Sequence, residues 1–298
     1  MAVDWDSHKA GREAAARDEG QWLGLFGNRM DPLMDFPPVV EVDAQWSRNT
    51  PVSFRALAPV RSLSGDVHPI VDELVADGLS KVDEQGRLVA VMNRSRFAVV
   101  ERPGVQRRCY RVTHVVASGS WEAPEMIEVH GTCALSELLR HVAWSAPTTI
   151  TGRFVRFERD WVGPEDVAAT FDKPRDLQDM KMVTVADGVT LDGPADEVLR
   201  RLIKRSLEAS WVASGIAGVV DDPPIVVDPT GSGLASPYVL VRPNDEKLLD
   251  AVLPVAAAAG VNIKVGLWLP GDRPVPGLDL KGPKLVVRVE QSADVKEV

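Results

Sequence analysis

Five histidines, two cysteines and several groups of aspartates are the residues of this chain that could do chemistry. A zinc-hydrolase helix needs two histidines four positions apart, and His8, His68, His114, His130 and His141 do not supply that spacing. His114 and His130 fall in neighbouring strand patterns and can approach one another. Two ordinary strand residues are expected there, with no metal. Carboxylates cluster at Asp172, Asp176 and Asp179, and again at Asp221 and Asp222. Paired carboxylates act as acid and base in glycoside hydrolysis. Both clusters, however, lie in polar, loop-like sequence with no apolar wall to raise one pKa, so solvated acidic loops are expected. The glycine-rich residues 228–236 hold Gly231 and Gly233 but no Gly-Lys-Thr and no third glycine at dinucleotide spacing. They precede a strand instead of following one and opening a helix, which predicts a mobile loop. No Gly-x-Ser-x-Gly elbow occurs. Cys109 and Cys133 are too few for a metal site. Their adjacent elements permit a disulfide, but two reduced, buried thiols of a protein made in a cytoplasm are the expectation. The patterns therefore predict no catalytic, cofactor-binding or metal-binding residue.

The elements that would position these groups are organised around residues 126–147. Met126, Glu128 and His130 alternate with Ile127 and Val129, the signature of a strand. Gly131 suits a tight turn and Thr132 an N-cap, with Leu135, Leu138, Leu139 and Val142 forming a helical stripe. Pro147 ends that helix, which is predicted to pack its stripe on the β-rich unit before it. In that unit, strand patterns cover 39–42 and 51–57, and a helix is predicted over 69–76, closed by Gly78. Four strands follow, at 87–92, 96–101, 107–117 and 121–130, with turn residues between. Short turns between consecutive strands mean an antiparallel sheet, most compactly a barrel or split barrel. Beyond 149–158, again strand-like, comes a helix with Pro194 at N1, acidic Asp196 and Glu197, and a buried stripe of Val198, Leu202, Ile203 and Leu207. A second helix is predicted from Asn244 to Gly260, kinked or interrupted by Pro254. A hairpin of 261–269 and 284–291 closes the chain. The fold class is α+β: an antiparallel β-barrel-like domain (36–160) joined through a strand–Gly–helix unit to a second, mixed α/β domain (161–298).

Residues 1–35 read as an N-terminal arm. Their helical half lacks a broad apolar stripe, while Trp22, Leu23, Leu25 and Phe26 form an apolar plug. Folding back onto its own body is one reading. The other, taken forward here, is docking on a neighbour, with Trp5, Trp22, Leu23, Leu25 and Phe26 as interface residues. Eight tryptophans against two tyrosines is an unusual ratio, and tryptophan is enriched among interface hot spots. Trp46, Trp121 and Trp144 are expected to fill core; Trp161 and Trp211 sit at element ends.

A chain of 298 residues suffices for two domains, and 45% hydrophobic with 26% charged residues is ordinary globular composition. The net charge of −9 argues against a general nucleic-acid binder. The basic runs Arg107-Arg108, Arg200-Arg201 and Lys204-Arg205 read as solvated helix faces. No apolar run approaches the roughly 18 residues of a membrane helix, and the polar first residues do not read as a secretory signal. A soluble protein is expected.

In this order, Arg96-Phe-Ala-Val-Val-Glu-Arg-Pro-Gly104, Val129-His-Gly-Thr-Cys-Ala-Leu-Ser-Glu-Leu-Leu139 and a proline soon after resemble the tail-hub (baseplate-hub) minor tail proteins of long-tailed phages. The helix ending at Gly260, followed by Val261-Asn-Ile-Lys-Val-Gly-Leu-Trp268, resembles that family's second α/β unit. The likeness spans about residues 40–290. It implies a structural, non-enzymatic virion protein, made in the host cytoplasm and placed at the tail tip. It further implies a homotrimeric ring that closes the tail tube and meets the distal tail protein, the tape-measure protein and other tip proteins, with no membrane and no specific nucleic acid. Two rival expectations are a cell-wall hydrolase using the acids of 172–179 and a receptor- or carbohydrate-binding module using exposed tryptophans of the β-rich unit.

Overall fold

Seven strands in the first half of the chain pair into one antiparallel sheet, and the N-terminal segment supplies two of them. The computed structural model describes residues 3–62, 64–76, 95–120, 124–145 and 190–293, with the backbone of four short strands between 149 and 183. After helix α1 (Trp5–Glu19) come β1 (Trp22–Phe26), β2 (Pro32–Asp35), β3 (Glu41–Ala44), β4 (Ser53–Pro59), β5 (Phe97–Arg102), β6 (Val105–Gly119) and β7 (Pro124–Cys133). Their order across the sheet is β2-β1-β5-β6-β7-β4-β3. The expected barrel is thus an open sheet among the described residues, with β2 and β3 at its edges.

The alternation of side chains explains the burial. β1 and β5 send Trp22, Phe26, Phe97 and Val99 into one core and Leu23, Leu25, Ala98 and Val100 into the other. A strand covered on both faces needs apolar residues at nearly every position. That is why Trp-Leu-Gly-Leu-Phe looked like a plug. β4, by contrast, buries only Phe54, Ala56 and Ala58 of its alternating set.

The central stretch departs from its predicted form. β7 runs straight through Gly131 to Cys133, and a 3-10 helix (Ala134–Arg140) follows in place of an α-helix over 132–144. Gly131 lies in the strand, and its role is close approach: a Cβ there would stand 2.7 Å from the Arg111 carbonyl oxygen of β6. Cys133, not Thr132, occupies the N-cap, and Ser136 donates to the Cys133 carbonyl at 2.6 Å. The helix ends early because residues 141–145 are claimed by an extended pairing. Leu248 N–H donates to the His141 carbonyl at 2.8 Å, Ala143 N–H to the Glu246 carbonyl at 2.8 Å, and Ser145 N–H to the Asp245 carboxylate at 2.8 Å. Leu135 and Leu138 are buried as expected, while Leu139 and Val142 are half-buried. The predicted helix at 69–76 is present as a short helix that begins at Ile70 and Val71 and widens to a π-helical Asp72–Ala76. Gly78 and the strand predicted at 87–92 lie outside the described residues.

In the second half, β8 (Thr149–Gly152) pairs with β11 (Met180–Val183), and β9 (Phe157–Arg159) with β10 (Thr170–Arg175). Then come β12 (Leu191–Pro194), α2 (Ala195–Ser214), β13 (Ile225–Val227), β14 (Tyr238–Val241), α3 (Leu248–Ala259), β15 (Val261–Trp268) and β16 (Lys284–Gln291). The predicted closing hairpin is present, with Val261 opposite Gln291 and Trp268 opposite Lys284. β13 adds in parallel to β16, and β12 and β14 form a separate antiparallel ribbon. Helix α2 buries Val198, Leu202, Ile203 and Leu207, the predicted stripe, but Pro194 is its N-cap and not N1. Helix α3 starts at Leu248, after Asn244, and continues across Pro254 to a left-handed Gly260. One core unites Phe97, Val99 and Cys109 of the large sheet with Leu138, α2, α3, β15 and β16. It therefore runs across residues 36–160 and 161–298 alike.

Candidate functional site

Two features meet at the start of β6, where Gln106 and Arg107 point to opposite fates. Arg107 belongs to a buried charge cluster. Its Nε donates to Glu101 Oε2 at 2.8 Å, and its two terminal nitrogens grip the Asp272 carboxylate at 2.6 and 3.1 Å. Arg12 of α1, only 2% exposed, donates to the same Glu101 oxygen and lies over the Trp22 ring. Two cations and two carboxylates thus cancel, and they tie α1, β5, β6 and the loop after β15 together. Burial alone would raise the Asp272 carboxyl, but the hydrogen bonds and charge of Arg107 outweigh it and hold the group below the usual range. His8 sits on this cluster, its Nδ1 accepting from Arg12 Nε at 3.2 Å. Trp5, Trp22 and Phe26 surround the imidazole edge-on at 5.6 to 6.0 Å between centroids. Burial, then the Arg12 charge, push its pKa down.

Beside this cluster, the large sheet and β15 enclose a pocket of about 280 Å³. Its apolar side includes Val52, Cys109, Leu135, Ile263 and Val265, and its polar side Ser47, Thr50 and Gln106. Trp46 lines it too, yet is 58% exposed. The core position expected for Trp46 is corrected: the residue follows β3, two positions beyond its last pairing with β4, and its side chain is exposed at the pocket. The pocket's cations are already engaged. Arg107 is held as above, Arg108 donates to the Ala44 carbonyl, and Lys264 pairs with Glu290 at 3.1 Å. Arg107 and Arg108 lie on a strand, so their reading as a solvated helix face is also corrected.

The expected approach of His114 and His130 is present. The residues are partners in the β6–β7 register, and their rings stack at 4.3 Å and 7°. Parallel rings hold their in-plane lone pairs side by side, not converging on one ion. His130 Nε2 instead meets Glu128 Oε1 at 2.9 Å, and Glu128 pairs with Arg55, which also pairs with Glu41 at 2.8 Å. Cys109 is buried and Cys133 half-buried, both free, and burial pushes the Cys109 thiol up. Asp222 pairs with Lys284 at 2.7 Å. The side chains of Asp172, Asp176 and Asp179 lie outside the described residues, as do Trp121 and Trp161. The glycine-rich loop lies over the start of α2. Ser236 Oγ accepts from Asp196 N–H at 3.2 Å, the Pro237 carbonyl accepts from Ala195 N–H at 2.8 Å, and a Cβ on Gly231 would stand 2.9 Å from Asp196 Oδ2.

Of the predicted interface residues, Trp22, Leu23, Leu25 and Phe26 are buried in the chain's own sheet, and Trp5 is half-buried against the same core. The reading of Trp22, Leu23, Leu25 and Phe26 as a plug docked elsewhere is corrected: β1 is hydrogen-bonded along its length to β5, and its side chains fill the two cores of this chain. Exposed apolar side chains lie elsewhere. Tyr238 and Leu240 of β14 are 70% and 69% exposed, and Ile216 and Val220 follow the end of α2 at 64% and 55%. Nothing in the spacing of Gln106, Glu101 or Asp272 marked them, because their grouping depends on contacts between distant segments. No protein-family model matches the chain, and no curated protein is detectably similar to it in sequence.

Proposed function

We propose that this chain is a structural subunit of a phage tail-tip hub, a phage tail-hub-like fold that assembles as a closed homotrimeric ring. In that ring it closes the tail tube and contacts the distal tail protein, the tape-measure protein and other tip proteins. The observation that carries the reading is a pair of exposed apolar patches at opposite ends of α2. Tyr238 and Leu240 lie on the ribbon at its N-terminal end, and Ile216 and Val220 just past its C-terminal end. A helix of this length spans about 30 Å. Rings are built from head-to-tail contacts, which require two different patches on every subunit. The sequence resemblance of residues 96–104, 129–139 and 248–268 to tail-hub proteins supports the same reading.

The mass of the purified chain in solution tests it. A homotrimer that Leu240→Asp and Ile216→Asp each convert to folded monomer is expected. A chain that stays monomeric at every concentration, and does not enter virions, would overturn the proposal.

A further inference from the structure

We propose that the pocket beneath Trp46 is a binding site for a neutral saccharide. The inference stands apart from the ring reading, which is tested by mass, whereas this one is tested by titration. The pocket lies where the large sheet meets β15, and such junctions between units are common ligand sites. Its volume of about 280 Å³ suits a small ligand and not a segment of folded protein. Three features then select the ligand's chemistry.

The first is Trp46, whose indole is more than half exposed at the pocket. An aromatic face carries negative quadrupole potential and attracts the polarised C–H groups on the flat side of a sugar ring. The second is the state of the polar groups. Among the described residues, the half-buried Ser47 hydroxyl and the exposed Gln106 amide have no hydrogen-bond partner within the protein, so both are free to exchange water for a ligand at the pocket they line. The Gln106 amide rests against the backbone of β15 at Gly266, where a Cβ would stand 2.7 Å from Nε2. An amide and a hydroxyl together offer donors and acceptors, the set that sugar hydroxyls need. An apolar peptide side chain would instead leave both desolvated and unpaired. The third feature is charge. An anionic ligand needs a cation to meet it, and two of the three that line the pocket, Arg107 and Lys264, are already paired with carboxylates, while Arg108 donates to the Ala44 carbonyl and keeps its charge. With two of the three cations engaged, the indole, amide and hydroxyl match a ligand with one apolar face and several hydroxyls, and titration with anionic probes decides whether the Arg108 charge overrides that match.

The test uses the full chain and calorimetric or ligand-observed NMR titration. The probes are glucose, galactose, N-acetylglucosamine and its β-1,4-linked dimer, with glucuronate, glucose 6-phosphate and a short apolar peptide as competitors. At least one neutral saccharide is expected to bind with a Kd at or below about 1 mM, and the anions and peptide more weakly. Trp46→Ala and Gln106→Ala should each weaken that binding at least tenfold while the melting midpoint stays that of the unmodified chain. Lys204→Ala, on the exposed face of α2 and outside the pocket, should leave binding within about threefold. Absence of binding by every neutral probe, tighter binding of the anions or peptide, or unchanged affinity in Trp46→Ala would each overturn the proposal.

Discussion

Arg107 and Gln106 are neighbours on one strand, yet the regions on either side of them are opposites. Around Arg107, every charge is answered by another, the groups come from four separate segments, and Arg12 is almost fully buried. Around Gln106, polar groups stand unanswered beside an exposed indole. A saturated cluster cannot give its hydrogen bonds to a ligand without breaking the fold, so its work is to fix how α1, the sheet and the β15–β16 loop sit together. A half-satisfied, accessible wall has donors to spare. The contrast teaches that on this stretch of β6 the paired charges hold elements together while the neutral side chain beside them faces the pocket. A buried charge cluster is weak grounds for high stability, since desolvation offsets attraction, but breaking it from one side is strongly destabilising.

The sharpest way to break the comparison is to remove the structural side altogether. Deleting residues 1–26 takes away α1, Arg12 and all of β1. Four large β1 side chains are buried in the native sheet, and burying each is worth about 1.5–3 kcal/mol. That sum is comparable to the whole stability of a typical domain, about 5–15 kcal/mol. The truncated chain is expected to be insoluble or unfolded, judged by circular dichroism and exclusion chromatography. A folded, soluble truncation would show that the N-terminal segment is an appendage after all.

Arg107→Met is the next largest. It removes the direct partner of Asp272 and leaves Arg12 as the one cation of the cluster for both carboxylates; it should lower stability by about 3 kcal/mol, the low end for a broken buried pair because Asp272 keeps some contact with water. The urea midpoint measures it. A smaller effect follows from acid. Burial, first among the causes, lowers the pKa of His8, His68 and His141. Around His8, the Arg12 and Arg107 charges add to this and Asp35 and Glu101 oppose it. A histidine whose folded pKa is depressed stabilises the fold fully above its unfolded value of about 6.5. As pH falls below that value the unfolded chain takes up protons that the folded chain refuses, and stability is lost. The urea midpoint should therefore be steady from pH 8 to 7 and decline towards pH 5, with a shallower decline in His8→Gln.

The helices and closing hairpin of the second half were legible in the sequence because their signals are local, whereas the short strands β12 and β13 were not. The stripe of α2 and the alternation of β15 and β16 each report one face of one element. The large sheet was legible as strands but not as a topology. Its order places β1 beside β5 and β4 beside β7 across long loops, information that no window of residues contains. That is also why the two tryptophan readings exchanged places. Trp22 looked like an anchor for a neighbour because its run is apolar throughout, and it is apolar throughout because a central strand is covered on both faces. Trp46 reads as core because it falls within the β-rich unit, and it is exposed because it follows the strand at the sheet's edge. The charge cluster was invisible for a related reason: Arg12, Glu101, Arg107 and Asp272 are meaningful only once folding has gathered them.

The smallest expected effect is the one that sharpens the comparison most. Trp46→Ala removes the largest exposed side chain at the pocket, yet it should change stability by no more than about 0.5 kcal/mol, the usual range for surface substitutions that break no special feature. The indole is mostly in water already, so little apolar area returns to solvent when it is cut away. The pairing of β3 with β4 stops at Ala44 opposite Phe54, and therefore does not depend on residue 46. Tyr110, whose hydroxyl donates to the neighbouring Gln45 carbonyl at 2.9 Å, anchors this turn independently of the indole. Trp22→Ala is the matched control. It opens a cavity in the core beside Arg12 and Phe26 and should cost about 3–5 kcal/mol. If the two tryptophans gave equal losses in urea midpoint, Trp46 would be part of the packed structure, and the distinction between a sealed side and an open side of β6 would collapse.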